Sequence, residues 1–149
     1  MKYRANGPEQ THALGRALGM AAGENSVFAL YGDLGAGKTV LAQGIAEGLG
    51  VPSAVTSPTF VIMQMHEGGR LDLFHVDLYR LNRTEEVDEI GIEERFGEGV
   101  VVIEWPERCP DILPVDRMDI HFEFTHEGRE LTLHSTGAQH HHFLDVIRM

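Results

Sequence analysis

Gly32-Asp33-Leu34-Gly35-Ala36-Gly37-Lys38-Thr39 fits G-x-x-x-x-G-K-[ST] without a gap. Glycines at these positions let the backbone curl so that successive N–H groups point inward, a cradle for phosphate oxygens. A helix starting at the loop's end adds the positive end of its dipole. In this reading Lys38 reaches the β- and γ-phosphates and the Thr39 hydroxyl ligates Mg²⁺. Four fixed positions also arise by chance in a glycine-rich turn, so the flanks matter. An apolar strand is expected at 26–31 and an Ala/Leu-rich helix at 38–49, which is the context the motif requires.

A metal held at Thr39 calls for a carboxylate at the end of a neighbouring strand. Val100-Val101-Val102-Ile103-Glu104 offers the cleaner candidate and Leu73-Phe74-His75-Val76-Asp77 a second. Strand-end carboxylates are often merely solvated. Two of them in one small phosphate-binding domain predict one on the metal and one on the attacking water or behind the metal's ligands. Guanine-reading Asn-Lys-x-Asp motifs need a lysine, and only Lys2 and Lys38 exist, so ATP is the expected nucleotide.

The elements that must hold these groups follow from periodicity. Residues 9–22 place Ala13, Leu14, Ala17, Leu18 and Ala21 at helical spacing. The runs at 59–66 and 71–77 flank Glu67-Gly68-Gly69 as a hairpin, and a second hairpin spans 117–135 around His126-Glu127-Gly128. An acidic stretch, 84–94, reads as two short helices broken at Gly91, with Thr84 as the cap. This is one mixed α/β domain over 1–137, followed by a tail at 138–149.

Composition agrees. The 149 residues are 42% hydrophobic and 23% charged, ordinary for a globular domain. A charge of −11, with arginines scattered singly, argues against autonomous binding of DNA or RNA. It leaves open RNA contact through a basic partner's complex. No run approaches the ~18 apolar residues of a membrane helix, and Met1–Asn6 has no apolar signal core. With a single cysteine, Cys109, these features predict a cytoplasmic protein without a membrane role.

The glycine loop, Ser57-Pro58-Thr59-Phe60, His75-Val76-Asp77-Leu78-Tyr79-Arg80-Leu81 and Ile103-Glu104-Trp105-Pro106-Glu107 occur in that order. This set, over about residues 9–137, resembles the TsaE (YjeE) family of bacterial P-loop ATPases in tRNA threonylcarbamoyladenosine biosynthesis. The resemblance implies a P-loop NTPase fold, a three-layer αβα sandwich with a mixed sheet. It implies TsaD-like and TsaB-like partners that transfer threonylcarbamoyl to the adenosine beside the anticodon, with tRNA reached only through that complex. ATP hydrolysis by this subunit would then reset the complex between rounds. By the same resemblance Thr39 and Glu104 hold Mg²⁺, Asp77 is needed for activity, and Lys38 completes the catalytic set. Residues 32–39 with Val40 hold the nucleotide, joined by Trp105 and, as weaker matches, Thr11 and Arg129. Ser57 and Thr59 look like a first switch, and Glu104-Trp105 lies in a second.

The remaining chemistry-bearing residues are less informative. His75 reads as a hydrogen-bonded strand histidine that helps place Asp77. His140-His141-His142 in a flexible tail do not converge on one ion, so the tail is assigned no function. No arginine is placed as an obvious finger, although Arg80, Arg83 and Arg129 are available. Because an arginine supplied in trans is worth about 10³–10⁵ in rate, slow hydrolysis alone and faster turnover with partners are expected. Two other readings stay open at this point: a small-molecule kinase, and a non-catalytic ATP sensor that docks on a basic partner.

Overall fold

The molecule, described by a computed structural model over residues 1–52, 55 and 62–147, is built on β2 (Val27–Tyr31), β4 (Leu73–Asp77) and β5 (Val100–Glu104). These near-continuous apolar runs are buried on both faces, as central parallel strands must be. The remaining strands are β1 (Lys2–Ala5), β3 (Met63–His66), β6 (Met118–Phe124) and β7 (Arg129–Ser135). The sheet order is β1-β7-β6-β2-β5-β4-β3. Strands β4, β5, β2 and β6 run parallel, and β3, with the β6–β7 and β7–β1 pairings, is antiparallel. Both expected hairpins are present, β3–β4 and β6–β7. The expected switch residues Ser57 and Thr59 lie outside the described residues.

Two helices, α1 (Pro8–Ala21) and α2 (Lys38–Leu49), cover one face. The buried stripe of α1 is Thr11, Leu14, Gly15, Leu18 and Gly19, so it is rotated toward glycines from the alanine-containing stripe the sequence suggests, and Ala13 is exposed. The reason is close approach. A Cβ on Gly19 would lie 2.2 Å from the Ile45 carbonyl oxygen, and one on Gly44 2.3 Å from that of His12. Gly15-x₃-Gly19 on one helix therefore meets Gly44-x₃-Gly48 on the other, backbone to backbone. Arg70 closes the far end of α1, its Nη2 donating to the carbonyls of Gly19 at 2.9 Å and Ala22 at 2.8 Å. A cation there complements both the unpaired carbonyls and the helix dipole.

The second face is a thinner layer of α3 (Glu85–Ile90) and one-turn 3₁₀ helices at Glu93–Arg95, Pro106–Arg108 and Pro110–Ile112. Thr84 makes no side-chain capping bond; Glu86 Oε1 accepts from the Arg83 backbone N–H instead, at 3.1 Å.

Strand β1 escapes sequence reading because Lys-Tyr-Arg-Ala has no strand signature of its own and forms only against β7. The expected flexible tail is replaced by a 3₁₀ turn, Ala138–His140, and a short helix α4 (His142–Ile147). Phe143 is fully buried and edge-on to Phe28, with ring centroids 5.0 Å apart, and that apolar anchor is why the segment docks. Among the described residues no helix is long and apolar enough to cross a membrane.

Candidate functional site

β2, β5 and β4 lie side by side and deliver their C-terminal ends to one edge of the sheet. Strand alternation then selects the groups. On β4, Leu73 packs toward α1 and α2 while Phe74 and Val76 pack on the opposite face. His75 and Asp77 share the parity of Leu73. On β5, Val100 and Val102 pack toward the same helices, and Glu104 continues that parity. Asp77 pairs in register with Glu104. The sheet thus brings together the two carboxylates that the sequence singles out.

The glycine loop runs from β2 into α2. Gly32 sits at φ +154° with Phe122 so close that a Cβ would meet that side chain's Cβ at 2.9 Å. Gly37, at φ +109°, caps α2 in a left-handed conformation, a position that a Cβ would strain. Lys38 is buried and its ammonium donates to the Gly32 carbonyl at 2.5 Å. Burial pushes the Lys38 ammonium below its usual pKa, opposed by Glu104 and, more weakly, Glu107, Asp77 and Asp33.

Trp105 leaves β5 at φ +59°, in the left-handed region that non-glycine residues rarely adopt. Strain of this kind, about 1–3 kcal/mol, persists where the surroundings fix it. Here Trp105 has its ring 3.5 Å from Lys38 Nζ and 5.0 Å from the Tyr79 ring.

The Thr39 hydroxyl is 3.4 Å from both carboxylate oxygens of Glu104, which is buried. These are hard oxygen donors of the kind Mg²⁺ takes, and adjacent ligands of an octahedral Mg²⁺ lie about 3.0 Å apart given ~2.1 Å bonds. The donor set fits the ion. Asp77 Oδ1 accepts from the Tyr79 N–H at 2.9 Å, which fixes its carboxylate at the strand end. A cavity of about 1010 Å³ is lined by Leu34, Gly35, Gly37, Lys38, Thr39, Val40, Asp77, Glu104 and Trp105, together with Tyr79, Arg80, Asn82 and Glu86.

The other expected contacts divide. Thr11 is buried and, with Gly35, Ala36, Gly37, Val40 and Arg129, lines a second cavity of about 410 Å³ on the far side of the loop. Arg129 Nη2 donates to the Gly35 carbonyl at 3.3 Å while its guanidinium lies 4.3 Å from the Phe124 ring centroid. Asp33 lies in the loop without lining either cavity, its carbonyl accepting from the Ala36 N–H at 3.1 Å. Of the arginines offered as fingers, Arg80 faces the large cavity, whereas Arg83 is turned to Glu86 and Glu89.

His75 corrects the sequence reading. It does not serve Asp77; its Nε2 lies 2.5 Å from Glu104 Oε2, with both side chains buried. The signal was shared strand parity of His75 and Glu104, which carries meaning only once β4 and β5 are known to be neighbours.

A glycine-loop strand flanked by a carboxylate-bearing parallel strand, with Lys38 and Thr39 at the loop's end, defines a P-loop NTPase fold. The family profile described as "Threonylcarbamoyl adenosine biosynthesis protein TsaE" matches residues 5–131. The tRNA threonylcarbamoyladenosine biosynthesis protein TsaE of Bacillus subtilis is 37% identical over 142 residues, covering 94% of this chain and 89% of that protein. The protein of the same name from Treponema pallidum is 39% identical, covering 89% and 99%. The crystal structure of Bacillus subtilis YdiB superposes with a TM-score of 0.82 at 32% identity, covering 99% of this chain and 93% of that one. The chain belongs to the TsaE family.

Proposed function

We propose that this protein is the ATP-binding and ATP-hydrolysing subunit of tRNA threonylcarbamoyladenosine biosynthesis, Mg²⁺-dependent, slow alone and activated by TsaD-like and TsaB-like partners in the cytoplasm. The observation that carries the chemistry is the convergence of Lys38, Thr39, Asp77 and Glu104 on one cavity beneath the glycine loop. The loop amides and the Lys38 ammonium hold the phosphates, Lys38 leaving the Gly32 carbonyl to do so. Thr39 and Glu104 would hold Mg²⁺, which when bound neutralises charge on the β- and γ-oxygens. Asp77 orients or deprotonates the attacking water. Trp105 covers Lys38 and excludes bulk solvent, which strengthens electrostatic interactions within the site. Thr11, Val40 and Arg129, around the smaller cavity, receive the rest of the nucleotide.

The proposed partners also suit the charge. At −11 the chain favours basic protein surfaces over direct contact with tRNA. The test is ATP hydrolysis by the purified chain, alone and with its own organism's TsaD and TsaB, beside a Lys38→Ala control. Stimulation that the control abolishes is expected. Lys38-dependent hydrolysis indifferent to the partners would retain the ATPase and remove the tRNA role.

A further inference from the structure

His75 lies wholly inside the protein, on the second-to-last inward-facing position of β4, and makes its hydrogen bond to a carboxylate. Its opposite number in register on β5 is Val102, so it reaches Glu104 diagonally, one pleat further along. Its other ring nitrogen, Nδ1, is buried with no hydrogen-bond partner among the described residues. That asymmetry assigns the tautomer. With hydrogen on Nε2 the ring donates to Glu104 and leaves only a lone pair unpaired. The opposite tautomer would set a lone pair against the carboxylate and bury an unpaired N–H, which is much the costlier arrangement.

Glu104 thus has one oxygen, Oε2, held at 2.5 Å from behind, while both oxygens face the Thr39 hydroxyl at 3.4 Å across the cavity edge. A carboxylate on a single-bonded stem rotates unless something fixes it, and within 3.5 Å the hydroxyl alone is a weak restraint. We propose that His75 is the positioning residue for Glu104: its Nε2–H locks the carboxylate's rotation so that it presents to a divalent cation shared with Thr39. The inference rests on Glu104 being a metal ligand. Outer hydrogen-bond partners of metal ligands are worth 10–100-fold in metal affinity, because they orient the ligand before the ion arrives.

The test uses the full chain, a non-hydrolysable ATP analogue, and Mn²⁺ as the probe ion. Analogue affinity is measured in EDTA and in Mn²⁺, and the ratio gives the gain due to metal; the Mn²⁺ electron paramagnetic resonance spectrum reports its coordination. His75→Leu is expected to cut the gain about 10–100-fold and alter the spectrum, with affinity in EDTA within about twofold of wild type. Glutamine reaches about as far as Nε2 and asparagine only about as far as Nδ1. His75→Gln should therefore restore most of the gain and His75→Asn should not, a contrast that decides the matter even if the leucine variant fails to fold. A wild-type gain in His75→Leu, or equal behaviour of the Gln and Asn variants, overturns the proposal. Glu104→Gln separates the two levels. If it abolishes the gain while His75→Leu retains it, only the role of His75 falls. If Glu104→Gln keeps the gain, the metal-ligand reading falls and takes His75 with it.

Discussion

Two buried histidines grip carboxylates at opposite ends of the sheet, and they differ in what they leave unsatisfied. At the loop end, His75 and Glu104 are both buried, and the carboxylate faces a cavity. At the other end, His140 meets Asp116 at 2.6 Å, but there the carboxylate is partly exposed, at 30%. His140 also uses its second nitrogen, with Nε2 accepting from the Val27 N–H at 3.0 Å. Asp116 uses its other oxygen on the Gln139 N–H. One pair is thus fully satisfied within the protein and staples the C-terminal segment to the start of β2. The other holds a buried carboxylate against the cavity that Lys38, Thr39 and Asp77 also line, and among the described residues its histidine leaves Nδ1 without a hydrogen bond.

The sharpest way to break this comparison is to neutralise each carboxylate. On the proposed function, in which Glu104 would hold Mg²⁺ worth several kcal/mol of transition-state charge stabilisation, Glu104→Gln should reduce ATP hydrolysis at least about 10²-fold. Asp116→Asn should leave turnover within about twofold and lower Tm, as a change remote from the chemistry does. Steady-state hydrolysis and thermal melts on both variants check this; similar turnover losses would erase the distinction.

Next in size is the helix pair that connects the two ends. Gly19→Ala inserts a methyl where the Ile45 carbonyl stands 2.2 Å away. Overpacking of this kind costs about 1–3 kcal/mol, to be read from urea denaturation midpoints. Both ends should weaken together, since α2 carries Lys38 and Thr39 while α1 packs against α4.

The staple also predicts a pH dependence. Burial pushes the His140 imidazole below its ordinary 6.5, with Asp116 opposing. The unfolded chain therefore takes up the proton first, so the stability from neutral His140 is complete above about pH 6.5 and is lost as pH falls through its lower folded value. Asp116, held low chiefly by the Gln139 N–H, shifts stability in the same direction at more acidic pH. Melts between pH 7.5 and 5 should show a smaller acid loss in His140→Gln than in wild type, glutamine's carbonyl oxygen still accepting from Val27.

The smallest effect is expected at Arg70. Arg70→Met removes the cation from the end of α1 and should cost about 1 kcal/mol with hydrolysis unchanged. Denaturant midpoints beside turnover rates test it.

Most of the site was legible because its parts are local or repeat a fixed period. The loop is eight consecutive residues, and each carboxylate ends an apolar run, so a strand, a turn and a helix start could be read without any tertiary partner. The histidines were not legible in this way. His75 and Glu104 are 29 residues apart, and nothing in either segment says that β4 lies beside β5. His140 reads as part of a polar triplet, yet the apolar residue that decides its fate is Phe143, three positions on. The four helix glycines look like breakers in sequence and act as the contact surface in the fold.

The glycine loop, the two hairpins, the two strand-end carboxylates and the lack of a guanine-reading motif are readable along the chain, because each depends on neighbours within a few residues. Tertiary structure alone decided that α1 and α2 meet through glycines, that β1 exists, that the C-terminal segment is stapled down, and that His75 serves Glu104 and not Asp77. Those outcomes depend on which surfaces are brought within a few ångströms by the strand order. Strand order is settled by burying all the apolar faces at once, a condition on the whole chain that no single segment carries.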